Sequence, residues 1–205
     1  MRSWSIDAYL GRLAARHPTP AGAAVGALNL AQAAALLAMV ARFRDDPDHP
    51  GRDVAQSVLA RAEDAWEAAL RLAEADAAAV DEVAAAYALP RSTEAERGRR
   101  TAAIADALLA AARPPAELVP VGAELVGLCE RMAEVGSGAL LADVAAAVDA
   151  VAAGLSISRT NVEADIGPRR GIAEAQRLGA AVGCVDDLLR RAGQVRDEIR
   201  KSLGT

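Results

Sequence analysis

The stretch from Gly22 to about Phe43 restricts the fold more than any other part of the chain. Alanine, leucine, valine and methionine carry it almost without interruption, so a helix here is apolar on nearly every side and has to be enclosed by other helices. Its entry is equally defined. Pro18 and Pro20 forbid helix just upstream and hold the chain extended. Gly22 then stands at the helix mouth, where unpaired N–H groups are able to meet an anion or a carbonyl. The same stretch also reads as an ordinary helix–helix turn. Of the 205 residues, 53% are hydrophobic and only 2% aromatic, alanine supplies about half of the apolar count, and β-branched runs are scarce. That combination predicts an all-α protein, an up-and-down bundle of about seven helices in one domain over 1–205. Alanine-rich helices bury little area each, so the core calls for many helices and a second copy of the chain.

The net charge of -5, with 23 Lys and Arg spread along the sequence, argues against a nucleic-acid partner. The densest basic group, Arg97-Gly-Arg-Arg100, reads as a solvated loop. Cys129 and Cys184 are isolated, each read as a small buried hydrophobe in a helix, and two distant histidines complete no metal pattern. No metal is expected. Met1-Arg-Ser-Trp-Ser runs straight into an amphipathic segment without a signal-peptide pattern. Asn29 and Gln32 interrupt the Ala23–Ala41 run, which argues against a membrane span, and a cytoplasmic location is expected.

Taken in order, Ser5 caps a helix to about Arg16 with Ile6, Tyr9, Leu10 and Leu13 on one stripe. Beyond the central helix, Asp45–Gly51 is a loop. A third helix runs from about Asp53 to Leu89, its core stripe being Leu59, Ala62, Trp66, Ala69, Ala73, Asp76, Val80, Val83 and Tyr87 at heptad spacing. Thr93 and Glu96 form a capping box for a helix to about Ala112. Pro114-Pro115 breaks it, and a fifth helix reaches about Val135 with a kink at Pro120. Gly136-Ser-Gly138 opens a sixth over 139–158. A loop, Ser158–Pro168, holds Asn161 and Asp165, and a long last helix covers 169–203.

Three aspartates stand out chemically. Asp76 puts a charge on a core stripe, which points to a pocket, a partner across an interface or a structural hydrogen bond. Asp143 and Asp149 lie in a helix otherwise built of alanine, leucine and valine, and their spacing turns them to different faces. A carboxylate desolvated among small apolar groups has a raised pKa and serves as general acid or base near neutrality. Local pattern does not say which of the two is buried.

Pro18-Thr-Pro-Ala-Gly-Ala-Ala-Val-Gly26 resembles the Pro-Thr-Pro-Gly-Gly-Gly turn of the formiminotetrahydrofolate cyclodeaminase / methenyltetrahydrofolate cyclohydrolase family. The likeness continues in order through Leu37–Ala41, Asp76–Pro90 with its Ala-Tyr87-Ala-Leu-Pro ending, Gly136–Asp143 and Thr160-Asn161-Val162. The resemblance implies an all-helical homodimer that handles folate one-carbon units, with a tetrahydrofolate derivative as substrate. One reaction cyclises 5-formiminotetrahydrofolate to the 5,10-methenyl form with release of ammonia; the other hydrolyses the methenyl bridge. It further implies Asp143 as the catalytic general acid/base, a folate site bounded by Thr19, Pro20 and Gly22 with Ser137 and Asn161, and Asp76 and Tyr87 at a pocket or interface. Arg169 and Arg170 are candidates for the glutamate tail.

The chain also departs from the family pattern. Ala21 and Ala23 stand where the family has glycine, Ser137 and Ala139 where it has asparagine, and Ala142 where it has serine. These replacements motivate an alternative expectation, a diverged non-catalytic ligand-binding or helical dimerisation protein of the same fold.

Overall fold

The computed structural model describes residues 1–46, 51–169 and 171–204. Every regular element among them is helical: α1 Ile6–Ala14, α2 Gly22–Arg44, α3 Arg52–Tyr87, α4 Glu94–Ala111, α5 Arg113–Val135, α6 Leu140–Asp165, a 3-10 turn Gly167–Arg169, α7 Ala173–Ala181 and α8 Val185–Leu203. Most of the expected loop after Arg44, and Arg170, lie outside the described residues.

The apolar run behaves as its composition requires. α2 is the axis of the bundle, with Leu30, Ala33, Ala34, Leu37, Val40 and Ala41 fully buried, and α3, α5 and α6 pack around it. α2 and α6 are the two helices long and apolar enough to cross a membrane by length and composition. They lie against each other, with 61% of the apolar window of α2 and 39% of that of α6 buried. Glycine sets how closely they approach: a Cβ on Gly154 would stand 2.6 Å from Leu30 Cδ2 and 3.0 Å from the Gly26 carbonyl oxygen. α6 therefore runs antiparallel to α2, with Asn161 beside Gly22 at one end and Ser137 beside Arg44 at the other.

Local signals fix most helix ends. Ser5 Oγ accepts from the Ala8 N–H at 3.1 Å, and Thr93 and Glu96 complete their reciprocal capping box. Pro114 and Pro115 sit in the first turn of α5, where a missing N–H costs nothing.

Four expectations change. The segment expected as a loop from Ser158 is the last two turns of α6, which continues to Asp165. Its polar side chains are satisfied inside the helix: Ser158 Oγ, Thr160 Oγ1 and Asn161 Nδ2 each donate to the carbonyl four residues back. The expected last helix is divided into the 3-10 turn, α7 and α8, with Gly183 in the second break, which makes eight α-helices rather than about seven. On α3 the buried face is Ala55, Val58, Ala62, Ala65, Ala69, Ala73 and Asp76. Trp66 and Tyr87 lie outside it, 39% and 53% exposed, because the tight seam with α2 admits methyl groups and not rings. Cys129 is buried as expected, whereas Cys184 is exposed between α7 and α8.

Candidate functional site

The turn that feeds α2 is held from two sides. Arg12 Nε, from α1, donates to the Thr19 carbonyl at 3.2 Å, and Thr19 Oγ1 donates to Asp81 Oδ1 of α3 at 3.3 Å. Thr19 and Pro20 are buried, joined by a cis peptide bond, while Gly22 is open to solvent. The residue before α2, Ala21, has no side chain able to cap the helix. Asp76 of α3 lies close by, near enough to the Ala24 N–H for that group to favour its charged form. A carboxyl of the chain's own therefore stands near the helix mouth, where the sequence left open an anion, a carbonyl or an ordinary turn.

Asp76 is 2% exposed, and its Oδ2 has no hydrogen-bond partner among the described residues. Burial, and then the nearby charge of Asp165, push its carboxyl up to about 6 against the Ala24 N–H, which favours the charged form. Asp165 ends α6, half-buried, and desolvation raises it to about 6 as well. Asn161 stands one turn before Asp165 on the same face of α6. Its amide packs against Gly22: a Cβ there would lie 3.4 Å from both Asn161 Nδ2 and Oδ1. Asn161 Nδ2 is engaged by the Ile157 carbonyl at 2.8 Å, which leaves Oδ1 as a further acceptor.

Two carboxyls near pH 6 beside an open helix mouth can take and return a proton near neutrality. Asp165 is the more exposed of the two. About one helical turn from Asp76, a cavity of about 330 Å³ opens between the N-terminal segment and the α2–α3 groove, walled by Trp4, Tyr9, Leu10, Leu28, Leu70 and Ala73. Tyr9 Oη is buried there without a partner. Such a cavity suits a flat ring with a polar edge.

The residues singled out from sequence therefore divide. Thr19, Pro20, Gly22, Asn161 and Asp76 come together. Asp143 does not join them in one chain. It occupies the first turn of α6, half-buried, and lies about 27 Å from Asn161 along the helix at 1.5 Å per residue. Ser137 is at that same far end, exposed, its carbonyl and hydroxyl bonded by Arg44. Asp149 is solvated and accepts from Arg196 at 3.2 Å. Tyr87 is about 16 Å beyond Asp76 on α3, with the Arg100 guanidinium 5.4 Å above its ring. Arg169 is paired with Asp106. Asp165, which the sequence places in a loop, joins this group because α6 continues to it, four residues after Asn161. Among the described residues no group of three or more His, Cys, Asp or Glu is gathered to hold a metal ion.

Known proteins carry the same architecture. The family described as formiminotransferase-cyclodeaminase matches residues 5–168. Methenyltetrahydrofolate cyclohydrolase of Methylorubrum extorquens is 29% identical over 97% of this chain and 95% of its own length. The rat formimidoyltransferase-cyclodeaminase is 30% identical over 77% of this chain, which spans 30% of that longer protein. The crystal structure of formiminotetrahydrofolate cyclodeaminase from Thermotoga maritima superposes with a TM-score of 0.80 at 25% identity, covering 99% of this chain and 97% of that one. With the family match extending over most of its length, this chain belongs to the formiminotransferase-cyclodeaminase family.

Proposed function

We propose that the chain is a folate one-carbon enzyme, a cyclodeaminase or cyclohydrolase, with Asp165 as its general acid/base and Asp76 as the buried charge behind it. The observation that carries this reading is the pair of carboxyls, both raised to about 6, set at the open mouth of α2. The relatives named above supply the substrate class, a tetrahydrofolate derivative whose ring system fits the cavity beside Trp4 and Tyr9.

In the cyclising reaction N10 attacks the formimino carbon, Asp165 takes the N10 proton and returns it to the amine, and ammonia leaves with the old C–N bond. In the hydrolysis Asp165 takes a proton from the attacking water and gives it to N5 as the C–N5 bond breaks. One proton is released overall, because the methenyl substrate is cationic and the 10-formyl product is not. A carboxyl that titrates close to neutrality suits both transfers. The alanines at 139 and 142 lie at the opposite end of α6, so their departure from the family pattern leaves this pair intact.

Asp165→Asn is expected to lower turnover of 5,10-methenyltetrahydrofolate by about a hundredfold or more, followed by loss of the methenyl chromophore, while Asp143→Asn stays within severalfold of the wild type. Full activity of Asp165→Asn together with loss in Asp143→Asn would return the acid/base role to Asp143. A homodimer in the cytoplasm completes the proposal; the uncovered apolar face of α1 supports the dimer.

A further inference from the structure

We propose that Asp76 and Asp165 form a receptor for positive charge, through which the site selects the amidinium form of a folate-bound one-carbon unit, N–CH=N⁺, over its neutral carbonyl counterpart. The inference rests on the folate reading above and adds what the site distinguishes.

The mouth of α2 is lined by acceptors. Asp76 Oδ2 is buried and has no partner among the described residues, Asp165 carries a half-buried carboxylate, and Asn161 Oδ1 is left over once its amide nitrogen has bonded Ile157. The basic residue at the turn, Arg12, gives its Nε to the Thr19 carbonyl. Neither carboxylate is in an ion pair among the described residues, although the chain pairs acids elsewhere, as in Arg191 with Glu130 and Arg113 with Glu174. A buried carboxyl beside a half-buried one, with no counter-charge among the described residues, is costly to ionise. A ligand that brings N–H donors and a positive charge removes that cost, whereas a carbonyl or an anion adds to it.

The two substrates of the proposed reactions share this feature. Protonated 5-formiminotetrahydrofolate holds N5–CH=NH2⁺, and the methenyl form holds N5–CH=N10⁺. Their common part is the cationic carbon between two nitrogens, and one dicarboxylate site serves both for that reason. 5-Formyltetrahydrofolate has the same ring, tail and shape with oxygen in place of NH2⁺, which isolates the charge.

The experiment measures binding of 5-formimino- and 5-formyltetrahydrofolate to the full chain, read as quenching of tryptophan emission on rapid mixing, before turnover. The wild type is expected to hold the formimino compound about ten- to a hundredfold more tightly. Asp165→Asn should bring the two affinities together while keeping that for the formyl compound, and Asp165→Glu should keep the preference. If Asp165→Asn does not fold, Asp76→Asn removes charge at the same place and is read in the same way. Equal affinities in the wild type, with both compounds bound, would overturn the proposal and leave the folate reading standing. So would a preference that survives both asparagine variants. Binding of neither compound would sink the folate reading itself, and this inference with it.

Discussion

Burial keeps the Asp76 carboxyl protonated to about pH 6, whereas an unperturbed aspartate ionises near 3.8. Between those values the folded chain holds a proton that the unfolded chain has released, so stability falls as pH rises through about 4 to 6 and levels above it. The contribution is complete below the unfolded pKa and gone above the folded one. Asp165 acts in the same direction. Asp76→Asn is therefore expected to stabilise the protein at pH 7 by on the order of 2 kcal/mol, and by little at pH 4, as measured by denaturant unfolding at the two values. An equal gain at both would mean that charge is not what burial costs here. Activity should fall in the same variant, the exchange expected where a strained group serves chemistry. At this scale the sequence was half legible. A charge on a heptad core stripe marks Asp76, whereas Asp165 gives no signal, because its partner lies 89 positions away and its own segment reads as a loop.

Segments were legible where the pattern is local and obscure where packing decides. Ser5, the Thr93–Glu96 box and Pro114-Pro115 announce their helix ends because each acts within one turn. The last turns of α6 do not, since their Ser, Thr, Asn and Asp favour turns in isolation; the segment is held helical by packing of the fully buried Ser158 and Val162, while back-bonding satisfies its polar side chains. The seam between α2 and α6 joins this element to the site, as it sets Gly22 against Asn161. Gly154→Ala would drive a methyl to within 2.6 Å of Leu30 Cδ2 and 3.0 Å of the Gly26 carbonyl oxygen. The expected result is a loss of about 1–3 kcal/mol in unfolding free energy and a KM raised more than kcat is lowered, as the helix mouth is displaced from Asn161. The same substitution at Gly98, inside α4 with nothing within 4 Å of an added Cβ, should leave KM unchanged and raise the unfolding free energy by about 0.5–1 kcal/mol.

For the whole molecule the open question is what covers α1. Nine residues long, it is too short to hold helical form on propensity alone, and a helix in a folded chain normally gains its stability from a buried face. None of its residues is buried; Ile6 is 81% and Leu10 53% exposed, beside Trp4 at 42%. Yet α1 supplies Arg12 to the turn before α2 and Tyr9 and Leu10 to the wall of the cavity, so the proposed function ties activity to its position. In the proposed homodimer a second copy of the chain covers this apolar face, and such an interface would be isologous about a two-fold axis. Ile6→Glu together with Leu10→Glu is expected to convert a sedimenting dimer to a monomer at micromolar concentration, and to lower activity without unfolding the α2–α3–α5–α6 core, which circular dichroism would follow. A wild type that sediments as a monomer would remove the dimer from the proposal. A doubly substituted chain that remains a dimer would move the interface to another face, where Trp66 stands exposed on α3.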